Sequence, residues 1–287
     1  MKGSGMITRL TITLMFIIFL FGSLGGLAEG ILPPLTESVE TAMPSDGEEY
    51  EIKTQKEDAR SASDELKGSS EQYRKVGNIV TFGQYEQDDN LNNGQEAIEW
   101  IVLEYDEKEN KALLISKYGL DAVAYNRTYM IVPWESSSLR TWLNDTFLSA
   151  AFNDGEKNAI LVTEVDNGPT SHEKGARDGN NTQDQVFLLS YTEAGRYLWL
   201  SVSGADRINL CAAPTPYAIA QGAFISDSHK TADGEPAGKW WLRSIKEGFP
   251  NCAVVVQEFE SFRGEGVNTY SVCVRPVFWL DLNADIF

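Results

Sequence analysis

Between Asn78 and Lys117 the apolar residues come in short runs rich in β-branched and aromatic side chains, separated by polar turns. Residues 78–82 read as a short strand ended by Gly83, and residues 97–105 as a stronger one. Residues 111–117 return across the polar turn 106–110 to make a hairpin. The period then changes. Ser136, Ser137 and Ser138 offer N-cap oxygens, and Leu139, Trp142, Leu143 and Phe147 follow at spacings of three and four, which predicts a helix. Asp154 is placed to cap a further short helix with Ala159 and Ile160 inward. Residues 186–190 read as a buried strand, and Thr192 as the cap of a helix over 193–198. Thr215-Pro216 opens another helix and Gly222 closes it. From Trp240 the pattern is again extended, over 240–243, 253–256 and 270–280. Antiparallel β-sheets at both sequence ends with helices between predict a single α+β domain, not alternating βαβ units.

The chain opens differently. Lys2 and Arg9 precede a nearly unbroken apolar run over 10–21, and small residues lead to Gly26-Leu27-Ala28. This layout predicts a signal peptide over residues 1–28, with an uncleaved N-terminal anchor as the alternative. Residues 29–75 hold twelve acidic and six basic side chains with Pro33, Pro34 and Pro44. Such a segment has too little apolar surface to offset chain entropy, so an acidic disordered linker is expected there, and the α+β domain over 76–287. Export makes the chain secreted or cell-surface, with membrane contact only through the N-terminal segment. An oxidising destination allows a disulfide between Cys252 and Cys273. Three reduced thiols, Cys211 included, buried as small apolar residues, are the preferred reading.

Five blocks recur in an order that carries a resemblance: Ile98-Glu99-Trp100-Ile101-Val102-Leu103, then Leu113-Leu114-Ile115-Ser116-Lys117-Tyr118, then Ser138-Leu139-Arg140-Thr141-Trp142-Leu143-Asn144 after Trp134-Glu135, then Trp240-Trp241-Leu242-Arg243-Ser244, and finally Val274-Arg275-Pro276. Over residues 76–280 the chain resembles an uncharacterised domain family of exported bacterial proteins. The closing pattern also resembles C-type-lectin-like folds, including the sulfatase-modifying-factor branch. Two departures stand out: Ile245-Lys246 follow the fourth block where the family has Pro-Gly, and Cys273 replaces the glycine before Val-Arg-Pro. The resemblance implies no catalytic residue.

Charge narrows the partners. With 42 acidic against 24 basic side chains the net charge is −18, which repels phosphate backbones and excludes nucleic acid as the expected partner. Two histidines and three cysteines leave little nucleophile or zinc chemistry, and there is no G-x-S-x-G stretch and no glycine-rich phosphate loop. Arginines lie among aromatics: Arg140 beside Trp142, Arg243 after Trp240 and Trp241, and Arg275 inside an apolar run, while Glu99 precedes Trp100. A guanidinium in such a place must find carboxylates or carbonyls, with Glu99 and Glu135 as candidates. These eight residues, Glu99, Trp100, Arg140, Trp142, Trp240, Trp241, Arg243 and Arg275, either fix the fold through ion pairs and cation–π contacts, the preferred reading, or line a ligand site. No cofactor is expected. Calcium stays open at two loops: Asp88, Asn90, Asn92 and Glu99 approach an EF-hand spacing with the glycine displaced to Gly94, and Asp178, Asn180, Thr182 and Asp184 alternate. The functional expectation is a non-catalytic extracellular binding module for an unknown glycan or protein, using loops 167–185 and 225–238. The alternatives are an enzyme acting on cell-wall or glycan substrates and a purely structural surface domain.

Overall fold

The computed structural model describes residues 70–168, 179–199 and 210–287. The expected signal peptide and nearly all of the expected linker lie outside the described residues. Thirteen strands follow in chain order. The first six are β1 (Ile79–Tyr85), β2 (Glu96–Asp106), β3 (Lys111–Ser116), β4 (Asp121–Ala122), β5 (Thr163–Val165) and β6 (Thr182–Asp184). Then come β7 (Ile225–Lys230), β8 (Pro236–Gly238), β9 (Trp240–Lys246), β10 (Phe249–Val256), β11 (Phe262–Gly266), β12 (Cys273–Val274) and β13 (Val277–Asp281). Short helices fill the middle of the chain, so the fold is α+β in one domain. Among the described residues no helix is long and apolar enough to cross a membrane.

Two sheets carry the body, and each draws on both halves of the sequence. The first runs β1-β2-β3-β13, antiparallel throughout, with Trp279 opposite Leu113 and Phe278 opposite Leu114. The second runs β11-β10-β9-β12-β4. Its β12–β9 pair is parallel, a departure from the wholly antiparallel expectation. Residues 270–280 were expected as one strand; they divide between the sheets. Proline cannot donate to a ladder, so at Arg275-Pro276 the chain leaves β12 in the second sheet and enters β13 in the first. Residues 186–190 are buried as expected, but they form no regular strand. Phe187 exchanges two backbone bonds with Val277, and Leu189 accepts from the Arg243 backbone, so this extended segment stitches β13 to β9.

Alternation along β13 assigns its side chains to opposite faces. Phe278 enters an aromatic cluster with Trp100, at 4.6 Å between centroids, and with Phe82 and Phe152. The helices that cover this face start where cap chemistry starts them. Ser137 accepts from the Arg140 N–H and opens the Ser138–Trp142 helix, which passes through a π turn, Leu143–Phe147. The Asp154–Ala159 helix is capped by Asn153, not Asp154, because Asn153 and Glu156 form a reciprocal capping box. Likewise Ser190, not Thr192, caps the Tyr191–Ala194 helix, boxed by Glu193. Thr215 caps Pro216–Ala220 as expected.

Two local expectations are overturned. Gly83 does not end the first strand. It lies inside β1 with φ +67°, at the register shift between Thr81 and Gln84, and a Cβ there would meet the Ala151 carbonyl and the Phe152 ring at 2.6 Å. Nor does the folded body begin at Val76. Ser70–Arg74 form a 3₁₀ turn whose Tyr73 is 4% exposed, donates to the Thr81 carbonyl at 2.8 Å and meets Phe287 edge-on. The Cys252–Cys273 disulfide that the sequence left open is not formed: all three cysteines are free of disulfides, and β9 lies between the strands that carry Cys252 and Cys273.

Tyr73→Ala should therefore cost about 3 kcal/mol and Gly83→Ala about 2 kcal/mol in urea unfolding of the full chain. A midpoint unchanged in either variant contradicts the packing described.

Candidate functional site

Arg243 is 1% exposed on β9, and each of its five N–H groups has an acceptor. Nε donates to Asn167 Oδ1 at 3.1 Å, Nη1 to the Leu188 carbonyl at 2.7 Å and to Glu193, and Nη2 to the Asp166 carbonyl at 3.0 Å and to Glu193 Oε1 at 2.8 Å. Burial alone would raise the Glu193 carboxyl. The Arg243 charge and the bonds it donates outweigh that and hold it below its ordinary value. Arg140 pairs with Asp184 at 2.6 Å and donates to the Glu135 carbonyl at 3.0 Å. The expected acid partners are elsewhere engaged: Glu99 binds Lys117 at 3.0 Å and the Glu135 carboxylate accepts from Asn180. Glu193 and Asp184, 50 and 44 residues from their arginines, are the functional partners that sequence reasoning missed.

The remaining candidates are also scaffold. Trp100, Trp240 and Trp241 are each no more than 1% exposed, and their indole N–H groups donate to the carbonyls of Phe82, Leu210 and Val123. Arg275 stacks over Trp240 at 4.7 Å and gives two bonds to the Ser116 carbonyl, while its Nη1 has no partner. Burial brings its guanidinium down to about 9, still charged at neutral pH. Trp142 is half-buried against Phe147. None of the eight lines the cleft described below.

The loops give no assembled calcium set of the expected spacing. Glu86, Asp88 and Glu96 bring carboxylate oxygens within 4.8 Å of one another, without Glu99. Asp88 accepts from Asn90 N and Asn93 Nδ2, and Glu96 from Gln87 N, so the loop is closed by its own hydrogen bonds. In the second loop Asp178 lies outside the described residues. Asp184 is turned inward, bound by Arg140, Thr182 and the Trp134 indole. Residues 225–238 form the β7–β8 hairpin, away from the cleft described next.

The cleft opens on the first sheet, opposite the aromatic cluster. Leu113 and Trp279, paired across β3 and β13, form its floor. Phe187, Leu189, Glu193 and Tyr197 line it as well, and the exposed Glu164 and Asp166 form its rim, around a volume of about 140 Å³. Tyr197 sits on a π turn, Gly195–Trp199, and donates to Glu104 at 2.5 Å; burial, then that bond, raises its phenol above the ordinary value. Lys111 lies 4.8 Å over the Trp279 ring. Sequence reasoning named Trp279 only within a strand and Tyr197 only within a helix. The alternation that turns Trp279 away from Phe278 was the available signal.

Residues 109–282 match the family model of a domain of unknown function, DUF6273. The chain belongs to this family. The DUF6273 match starts in the β2–β3 turn and reaches the end of β13, so it spans the cleft, while β1 and β2 precede it. No curated protein and no solved structure matches the chain.

Because Glu193 is held low in the folded state, its contribution to stability is complete above its unfolded value near 4.5 and is lost as pH falls through the depressed folded value. Glu193→Gln should flatten the acid limb of a stability–pH curve below pH 4.5. Arg243→Ala should cost about 3 kcal/mol, with or without any ligand. An unchanged acid limb and unchanged stability would remove Arg243 from the scaffold.

Proposed function

We propose that the chain is an exported, non-catalytic binding module, secreted or held at the cell surface, and that the Trp279–Tyr197 cleft seats a glycan. One observation carries the reading: an open cleft of about 140 Å³, a shallow seat smaller than the pockets that enclose a drug-sized ligand, has aromatic side chains on two sides and carboxylates on its rim. Aromatic faces pack against the apolar faces of sugar rings, and carboxylates accept from hydroxyls. The chemistry around it favours binding over turnover. Glu193, the innermost carboxylate, is fixed as an anion by Arg243 and is poorly suited to giving up a proton. The three thiols are raised by burial, Cys273 to about 12, which suits inert cysteines. The C-type-lectin-like reading of the fold belongs to the same proposal. It is supported by the Trp-Trp-Leu-Arg-Ser and Val-Arg-Pro blocks meeting as neighbours through β9 and β12.

The test is an array of glycans and cell-wall fragments probed with the full chain and with Trp279→Ala. We expect saturable binding that is independent of added calcium and weakened about tenfold or more by the substitution. Turnover of an array component overturns the non-catalytic reading. Equal binding by the folded variant moves the seat elsewhere.

A further inference from the structure

The glycan reading leaves open which sugars the cleft prefers, and its charges decide that. The one guanidinium behind it, Arg243, has all five N–H groups engaged and its charge matched by Glu193. The two rim carboxylates are different. Glu164 accepts only from the neutral amides of Asn181 and Gln183, each at 3.3 Å. Asp166 accepts from the Gly168 N–H at 2.8 Å. Among the described residues neither has a lysine or arginine within 4 Å. The aromatic walls already attract cations: the Lys111 ammonium lies over Trp279, and the Arg196 guanidinium over Tyr197 at 5.0 Å. An incoming anion would face two carboxylates that have no basic partner among the described residues. A neutral sugar would gain the stacking alone. A sugar carrying a protonated amine would gain stacking and a counter-ion in the same pose.

We propose that the Trp279–Tyr197 cleft is specific for ammonium-bearing saccharides, taking an amino sugar whose nitrogen is not acetylated and seating its charge against Glu164 and Asp166. This rests on the glycan reading of the same cleft, and the test separates the two. The full chain is titrated calorimetrically, below neutral pH, with a β-1,4-linked glucosamine disaccharide and with its N,N′-diacetylated counterpart, which has the same rings without the charge. We expect the free amine to bind about tenfold more tightly, from one exposed ion pair and one cation–π contact. That preference should shrink as salt is raised, since rim charges are screened. It should disappear in Glu164→Gln/Asp166→Asn, a pair of isosteric changes at exposed positions, so that the two sugars then bind alike. Equal or tighter binding of the acetylated disaccharide by the native chain overturns the ammonium proposal and leaves the glycan seat standing. A preference that survives the double substitution assigns the charge recognition to other groups and also overturns it. Failure of both sugars to bind removes the glycan reading and this proposal together.

Discussion

The fork of Arg243 is the constraint around which the rest is arranged. A guanidinium buried to this degree is costly unless its donors find acceptors, and here all five do, from three separate stretches: Asp166–Asn167, Leu188 and Glu193. Its own backbone carbonyl accepts from Tyr125 at 2.7 Å. One side chain thereby fixes the segment leaving β5, the extended run between the sheets and the capped end of the Tyr191–Ala194 helix. The cleft is the outer surface of those same pieces. Cleft and buried charge are two sides of one arrangement, since Glu193 answers Arg243 on one side and lines the cleft on the other.

Arg275 shows the other solution open to the same residue type. It has no carboxylate. Two bonds to the Ser116 carbonyl and the Trp240 face hold it where the chain passes between sheets. The indoles work similarly, each tying an irregular stretch to a strand by one N–H bond: Trp240 to Leu210, Trp241 to Val123. Side chains that resemble a ligand box in the sequence are therefore the fastenings of a fold with short strands and many loops.

What was legible in the sequence was local. The β2–β3 hairpin followed from β-branched and aromatic runs about a polar turn, and Thr215-Pro216 marked a helix start through chemistry contained in two residues. Cap placement slipped by a residue or two at Asn153 and Ser190 because the reciprocal Glu156 and Glu193 bonds decide between adjacent polar residues. Membership of an uncharacterised domain family was also readable. What was not readable was any relation across the chain: Asp184 for Arg140, Glu193 for Arg243, Leu113 opposite Trp279. The cleft is built wholly from such relations, with residues from β3, β5, the 187–189 run, a π turn and β13. A lone tryptophan in a strand carries no mark of which face it will occupy until the register is set.

Placing β13 beside β3 has a consequence for how the molecule comes into being. The edge of β3 has no neighbour until Val277–Asp281 arrives, and the second sheet likewise waits for Cys273–Val274. Both layers are thus closed by one short stretch, residues 273–281. Their contacts join positions more than 150 residues apart, the kind of long-range pairing that makes folding slow. A polypeptide of this sequence therefore stays open-edged until residues 273–281 dock.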